Sequence, residues 1–141
     1  MRLLDVNVLV ALAWPNHIHH GRAVAWFREN REHGWATCPL TEAGFVRVSS
    51  NTRAIPEART PQDAIALLLR LCAMAGHAFW TDDVSVAQEG SSPFDAVVGY
   101  RQVTDAHLIT LCIRRSGSLA TFDQTLLSLV PHQEDIVELI P

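Results

Sequence analysis

Four acids in this chain stand at points where a pocket is easily built. Asp5 interrupts a run of Leu and Val in LLDVNVLVAL, Glu42 lies in TEAGFVR, Asp105 in TDAHLI, and Asp123 directly follows LATF. Each falls at the end of an expected strand or the start of an expected helix. Four carboxylates converging on one pocket repel each other; at ~4 Å and an effective dielectric near ~20, each ionised pair costs about 4 kcal/mol. Either some take up protons, with raised pKa values, or divalent cations neutralise them. An all-oxygen set of Asp and Glu suits Mg²⁺ or Mn²⁺ better than zinc. Glu42 and Asp105 have a plainer alternative, as first-turn acids that complement a helix dipole. Asp5 does not, because a buried, unpaired carboxylate is costly.

The elements that would position these acids alternate between short strands and helices. Arg2 to Asp5 reads as a buried strand, and Asn7 to Trp14 as a helix stopped by Pro15. A second helix is expected over His19 to His33, ended by Gly34, then a strand over Trp35 to Cys38. Leu40 to Ser50 reads as a helix capped by Thr41 or the preceding turn. Thr60-Pro61 opens a helix that runs to Gly76, and HAFWT is a third strand. DDVSVAQEGSSP reads as a loop, with Asp95 just beyond it as a cap and Phe94 to Tyr100 as a short helix. Thr104 to Arg115 is a helix started by Thr104 or Asp105, Ser118 to Thr121 a strand, Asp123 to Leu129 one or two helical turns, and Ile136 to Ile140 a last strand. Such alternation gives a parallel sheet with helices on both faces, although strand order is not legible in periodicity. Ligands in such sheets bind at the carboxyl ends of the strands, the edge where all four acids are expected.

Composition narrows the chemistry further. The 141 residues, 48% hydrophobic and 18% charged, fit one domain over residues 1–141 with one core. A net charge of -4 argues against a general nucleic-acid coat, though not against a local Arg patch. All eleven basic residues are Arg, so a Walker-type phosphate loop and Schiff-base chemistry are excluded. A phosphatase using Asp5 as nucleophile would want a second Asp where Asn7 stands, and a later Lys. Cys38, Cys72 and Cys112 are odd in number and far apart, which reads as buried thiols in a reducing compartment. The apolar N-terminus is broken by Asp5 and Asn7, and AIALLLRLCAMAG is short and carries Arg70. Neither is a signal peptide or a membrane span, and a cytoplasmic protein without a membrane partner is expected. His17, His19 and His20 lack clean metal-ligand spacing and read as helix-entry packing or capping. The Trp residues read as core. Arg47 reads equally as a contact for phosphate or partner and as a surface ion pair.

Taken together and in order, LLDVNVLVAL, TEAGFVR, TDAHLI and LATFDQTL resemble the four acidic motifs of PIN domains, and most closely VapC toxins of bacterial type II toxin–antitoxin pairs. The resemblance covers nearly the whole chain, including NHIHHGRAVAWF. It implies a three-layer α/β/α sandwich around a central parallel sheet, and Mg²⁺- or Mn²⁺-dependent cleavage of RNA. Asp5, Glu42, Asp105 and Asp123 become the catalytic, metal-holding quartet, with Asp5 and Asp105 as direct ligands. Metal-activated water would attack phosphorus in line, leaving a 5′-phosphate and a 3′-hydroxyl. Asn7, Thr104 and Thr121 are expected to orient carboxylates, with cap or strand roles as their alternatives. A VapB-type antitoxin, a homodimer and an RNA substrate, tRNA first among classes, are implied as well. The competing expectation is a non-catalytic PIN-like module that only docks a partner.

Overall fold

The computed structural model describes residues 1–88 and 93–141, and of residue 134 the backbone alone. Part of the expected loop, Glu89 to Ser92, therefore lies outside the described residues. Five strands form one parallel sheet: β1 (Arg2–Leu4), β2 (Trp35–Thr37), β3 (His77–Phe79), β4 (Ser118–Thr121) and β5 (Val137–Leu139), in the order β3-β2-β1-β4-β5. Every pairing is parallel; Leu3 lies opposite Ala36 on one side and Leu119 on the other. The helices are α1 (Val6–Ala13), α2 (His20–Asn30), α3 (Pro39–Ser49), α4 (Pro61–Cys72) and α5 (Val103–Arg114).

Alternation along the strands sends neighbouring side chains to opposite faces. Leu3, Ala36 and Leu119 pack with Leu108, Ile109, Leu111 and Cys112 of α5. Leu4, Trp35 and Ala120 pack on the other face with Val8, Leu9, Phe27, Phe45 and Leu68 from α1 to α4. The result is the three-layer sandwich expected of the sequence. Trp26, Trp35 and Trp80 are buried in these layers. Trp14 is only half-buried and donates from Nε1 to Ser49 Oγ at 3.0 Å.

Local rules place the helix starts. Thr60 accepts from the Asp63 N–H, and Pro61 occupies the first turn of α4. Thr41 Oγ1 accepts from the Cys38 N–H at 3.0 Å and secures the start of α3. The turn between α4 and β3 needs Gly76 at φ +86°, where a Cβ would stand 2.3 Å from the Arg31 carbonyl oxygen. Several expectations shift. The helix expected to end at His33 finishes as a 3₁₀ turn over Arg31–His33. Phe94 to Tyr100 is not one helix but part of two 3₁₀ turns, Phe94–Ala96 and Tyr100–Gln102, and Asp95 sits inside the first rather than capping it. Helix α5 is capped at Gln102, so Thr104 and Asp105 lie within its first turn. Among the described residues, no helix is long and apolar enough to cross a membrane.

Candidate active site

The sheet order reverses between β1 and β4. From β1 the chain turns into α1 on one face; from β4 it turns into a 3₁₀ segment, Gln124–Leu129, whose Leu126 and Leu129 pack on the other. A crevice opens where neighbouring strands send their chains to opposite faces. Asp5 lies directly after β1 and Asp123 two residues after β4, so both border it. Asp105 reaches it from α5. Asp5, Asp105 and Asp123, with Asn7, His17 and Val48, line one cavity of about 460 Å³.

Asp5 is the best fixed of the three. As N-cap of α1 it accepts from the Val6 N–H at 2.7 Å. Its other oxygen accepts from Asn7 Nδ2 at 2.8 Å and from Thr121 Oγ1 at 2.7 Å. Thr121 Oγ1 in turn accepts from Asn7 Nδ2 and from the Asp123 N–H, at 2.9 and 3.1 Å. Asn7 Oδ1 accepts from the Phe122 N–H at 3.3 Å. This closed network fixes the Asn7 amide orientation and ties the end of β1 to the end of β4. Asp123 is held by Thr125, whose N–H and hydroxyl both donate to Oδ1, at 2.8 and 2.7 Å. Thr104 is exposed, with no hydrogen bond to an aspartate among the described residues.

Burial pushes the Asp105 carboxyl up to about 6, and the charges of Asp5 and Asp123 add to the rise. Burial also raises Asp5, against the hydrogen bonds from Thr121 and Val6. Metal-free, Asp5 and Asp105 therefore resist ionising side by side, and the charge of Asp123 adds to that resistance. A cation in their midst removes that conflict, and three carboxylates form the hard oxygen set that Mg²⁺ or Mn²⁺ takes.

Glu42 is not among the residues that line this cavity. Its Oε1 accepts from Thr37 Oγ1 at 2.6 Å, and it lines a groove between α3 and α4. Its charge is felt by Cys72 and His77, whereas Asp105 feels Asp5 and Asp123. On α3, Thr41, Gly44, Phe45 and Ser49 turn inward and Val48 borders the cavity. His17 lines the aspartate cavity, beyond what its sequence context revealed. It also caps its turn, Nδ1 accepting from the His19 N–H at 3.1 Å. The only sequence signal for it was proximity to the end of α1.

A model of the PIN domain family matches residues 2–130. The chain belongs to the PIN domain family. It is 55% identical over 133 residues to ribonuclease VapC38 of Mycobacterium tuberculosis, an alignment spanning 94% of this chain and 92% of the relative. It is 52% identical over 124 residues to ribonuclease VapC39 of the same organism, covering 88% and 89%. It is 42% identical over 130 residues to ribonuclease VapC44, covering 92% and 91%. A PIN domain with these relatives places the chain among the VapC proteins, and the cavity at the β1–β4 crevice is the region of this PIN domain where its acids meet.

Proposed function

We propose that this protein is a metal-dependent endoribonuclease, the toxin of a type II toxin–antitoxin pair, that hydrolyses RNA phosphodiester bonds, with tRNA the first substrate class to try. The observation that carries this reading is the meeting of Asp5, Asp105 and Asp123 at the crevice between β1 and β4. Kinship with proteins named ribonucleases supports it. Asp5 and Asp105 are the residues that would hold Mg²⁺ or Mn²⁺, with Asp123 completing the set. When bound, such a cation activates water and neutralises charge developing on the phosphate.

The chain's own residues supply position and charge. Asn7 and Thr121 hold the Asp5 carboxylate at a fixed angle, and Thr125 does the same for Asp123. Burial holds the Asp105 carboxyl up at about 6, so without metal it keeps its proton into the weakly acidic range. A VapB-type antitoxin and a homodimer belong to the same proposal.

The test is RNA cleavage by wild type and by Asp5→Asn, with Mg²⁺, Mn²⁺ or EDTA and no antitoxin. Metal-dependent cutting that drops by at least about 100-fold in the variant is expected, since even an outer partner of a metal ligand costs about 10–100-fold. Equal cutting by a folded Asp5→Asn protein would sink the reading. No cutting of tRNA, ribosomal RNA or a random pool by folded wild type would favour the partner-docking module instead.

A further inference from the structure

The cavity where the aspartates meet is bordered by a polar side chain that holding a metal leaves unused. His17 lines it with Asp5, Asp105 and Asp123, and among the described residues no arginine does. Asn7 lines it too, yet both protons of its Nδ2 are committed, one to Asp5 Oδ2 and one to Thr121 Oγ1. The other lining residues are Val, Ala and Ile. The uncommitted side-chain N–H of this cavity is therefore on His17, and the ring's own contacts show which nitrogen carries it.

Three histidines stand at the entry to α2, and their partners fix their tautomers. His20 Nδ1 lies 2.8 Å from the Ala11 carbonyl oxygen, which only accepts, so that nitrogen carries a proton. His19 Nδ1 faces Arg22 Nη1 at 3.2 Å, which only donates, so there the nitrogen is bare. His17 Nδ1 accepts from the His19 N–H at 3.1 Å, so the neutral ring carries its proton on Nε2. Burial, with His19 and His20 nearby, holds His17 below the usual histidine range and keeps the ring neutral. With Nδ1 taken, such a ring donates a hydrogen bond but neither ligates a metal nor accepts a proton without breaking its own turn.

A phosphodiester brings further negative charge to a place already lined with carboxylates. A divalent cation offsets part of it, and donors aimed at the charge that develops on phosphate lower the barrier further. We propose that His17 is a further catalytic residue, whose Nε2–H donates to a non-bridging oxygen of the scissile phosphate. The bond tightens as charge builds on that oxygen, and no proton changes hands. This role rests on the ribonuclease reading. The rival account is a histidine that only caps its turn.

Two variants separate donor from cap. In His17→Gln the side-chain amide nitrogen takes the place of Nε2. In His17→Asn the amide oxygen takes the place of Nδ1, so the turn keeps its cap and the far donor is gone. With RNA and Mg²⁺, kcat should fall by at least about 10-fold in His17→Asn, where an enclosed oxyanion donor is worth about 10²–10³-fold. KM should change little, and His17→Gln should recover most of kcat. Full kcat in folded His17→Asn, or a loss in His17→Gln no smaller than in His17→Asn, would overturn the role while wild type still cuts. Wild type that cuts no RNA would sink the ribonuclease reading itself and take this role with it. Imidazole nitrogen NMR of the metal-free protein needs no cleavage. It should show His17 protonated at Nε2 and bare at Nδ1 near neutral pH, and a proton on Nδ1 would equally overturn the role.

Discussion

Two corners of the same sheet edge hold acids, and they are built differently. At the β1–β4 corner the two strands send their chains to opposite faces, so a crevice opens and three aspartates face into it. At the β2–β3 corner the adjoining helices α3 and α4 both pack on one face. There Glu42 lies against Thr37, with Cys72 and His77 beside it. The first corner is charge in conflict, which a hard cation resolves. The second is one carboxylate among softer groups, already hydrogen-bonded.

The strongest way to break this comparison is to neutralise one acid from each corner. Asp105→Asn should lower RNA cleavage by at least about 100-fold, as loss of a metal ligand does. Glu42→Gln should stay within about 10-fold of wild type, because it keeps the shape and the Thr37 hydrogen bond. Single-turnover cleavage rates at saturating Mg²⁺ compare the two directly. If Glu42→Gln costs as much as Asp105→Asn, Glu42 joins the aspartates in the working complex, and the two corners are one site.

That difference also marks where sequence reading stops. Asp5 and Asp123 are legible because an acid just after an apolar strand has few places to point. Asp105 is legible as a first-turn acid of a long apolar helix. Glu42 satisfies the same rule and is not among the residues that line the cavity, since the facing of a first-turn residue depends on how its helix is rotated against its neighbours. That rotation is set by Gly44 and Phe45 packing inward, a contact made with residues far away in the chain. Strand and helix positions were readable to within one to three residues for most elements, since apolar periodicity and Pro, Gly and Thr caps are local signals. The order β3-β2-β1-β4-β5 was not, since it is a property of pairing rather than of any segment. Cys72 likewise read as one more buried thiol, because nothing local to AIALLLRLCAMAG shows that His77 and Glu42 approach it.

A smaller effect sharpens the link between the corners. Helix α3 passes close to the start of α1, where Gly44 faces Val6, the residue after Asp5. A Cβ at position 44 would stand 2.6 Å from Val6 Cγ2. Gly44→Ala should therefore destabilise the protein by about 1–3 kcal/mol, as overpacking does, despite alanine's better helix propensity. Urea unfolding measures it. Val6→Ala in the same chain should recover part of the loss, and the double-mutant cycle gives the coupling. A neutral or stabilising Gly44→Ala would mean that α3 slides freely against α1, leaving nothing rigid to keep the two corners apart.

The smallest effect concerns protons. Asp105 titrates at about 6 in the folded protein against 3.8 for the free side chain, because it is buried and faces Asp5 and Asp123. Between those values the folded state binds more protons than the unfolded state, so stability falls as pH rises. The contribution is thus a penalty above pH 6 that acidification removes, opposite in sign to that of a salt-bridged carboxylate. His17 and His77 work the other way, since burial lowers both and acid must charge them. The informative quantity is therefore the difference between wild type and Asp105→Asn in EDTA. The variant should be more stable at pH 7.5, by a few degrees in Tm, and that advantage should shrink by pH 5. Saturating Mg²⁺ should erase it at pH 7.5 by stabilising wild type alone. An advantage that is independent of pH would show that the variant acts through packing, and the β1–β4 corner would then be no more electrostatically strained than the corner at Glu42.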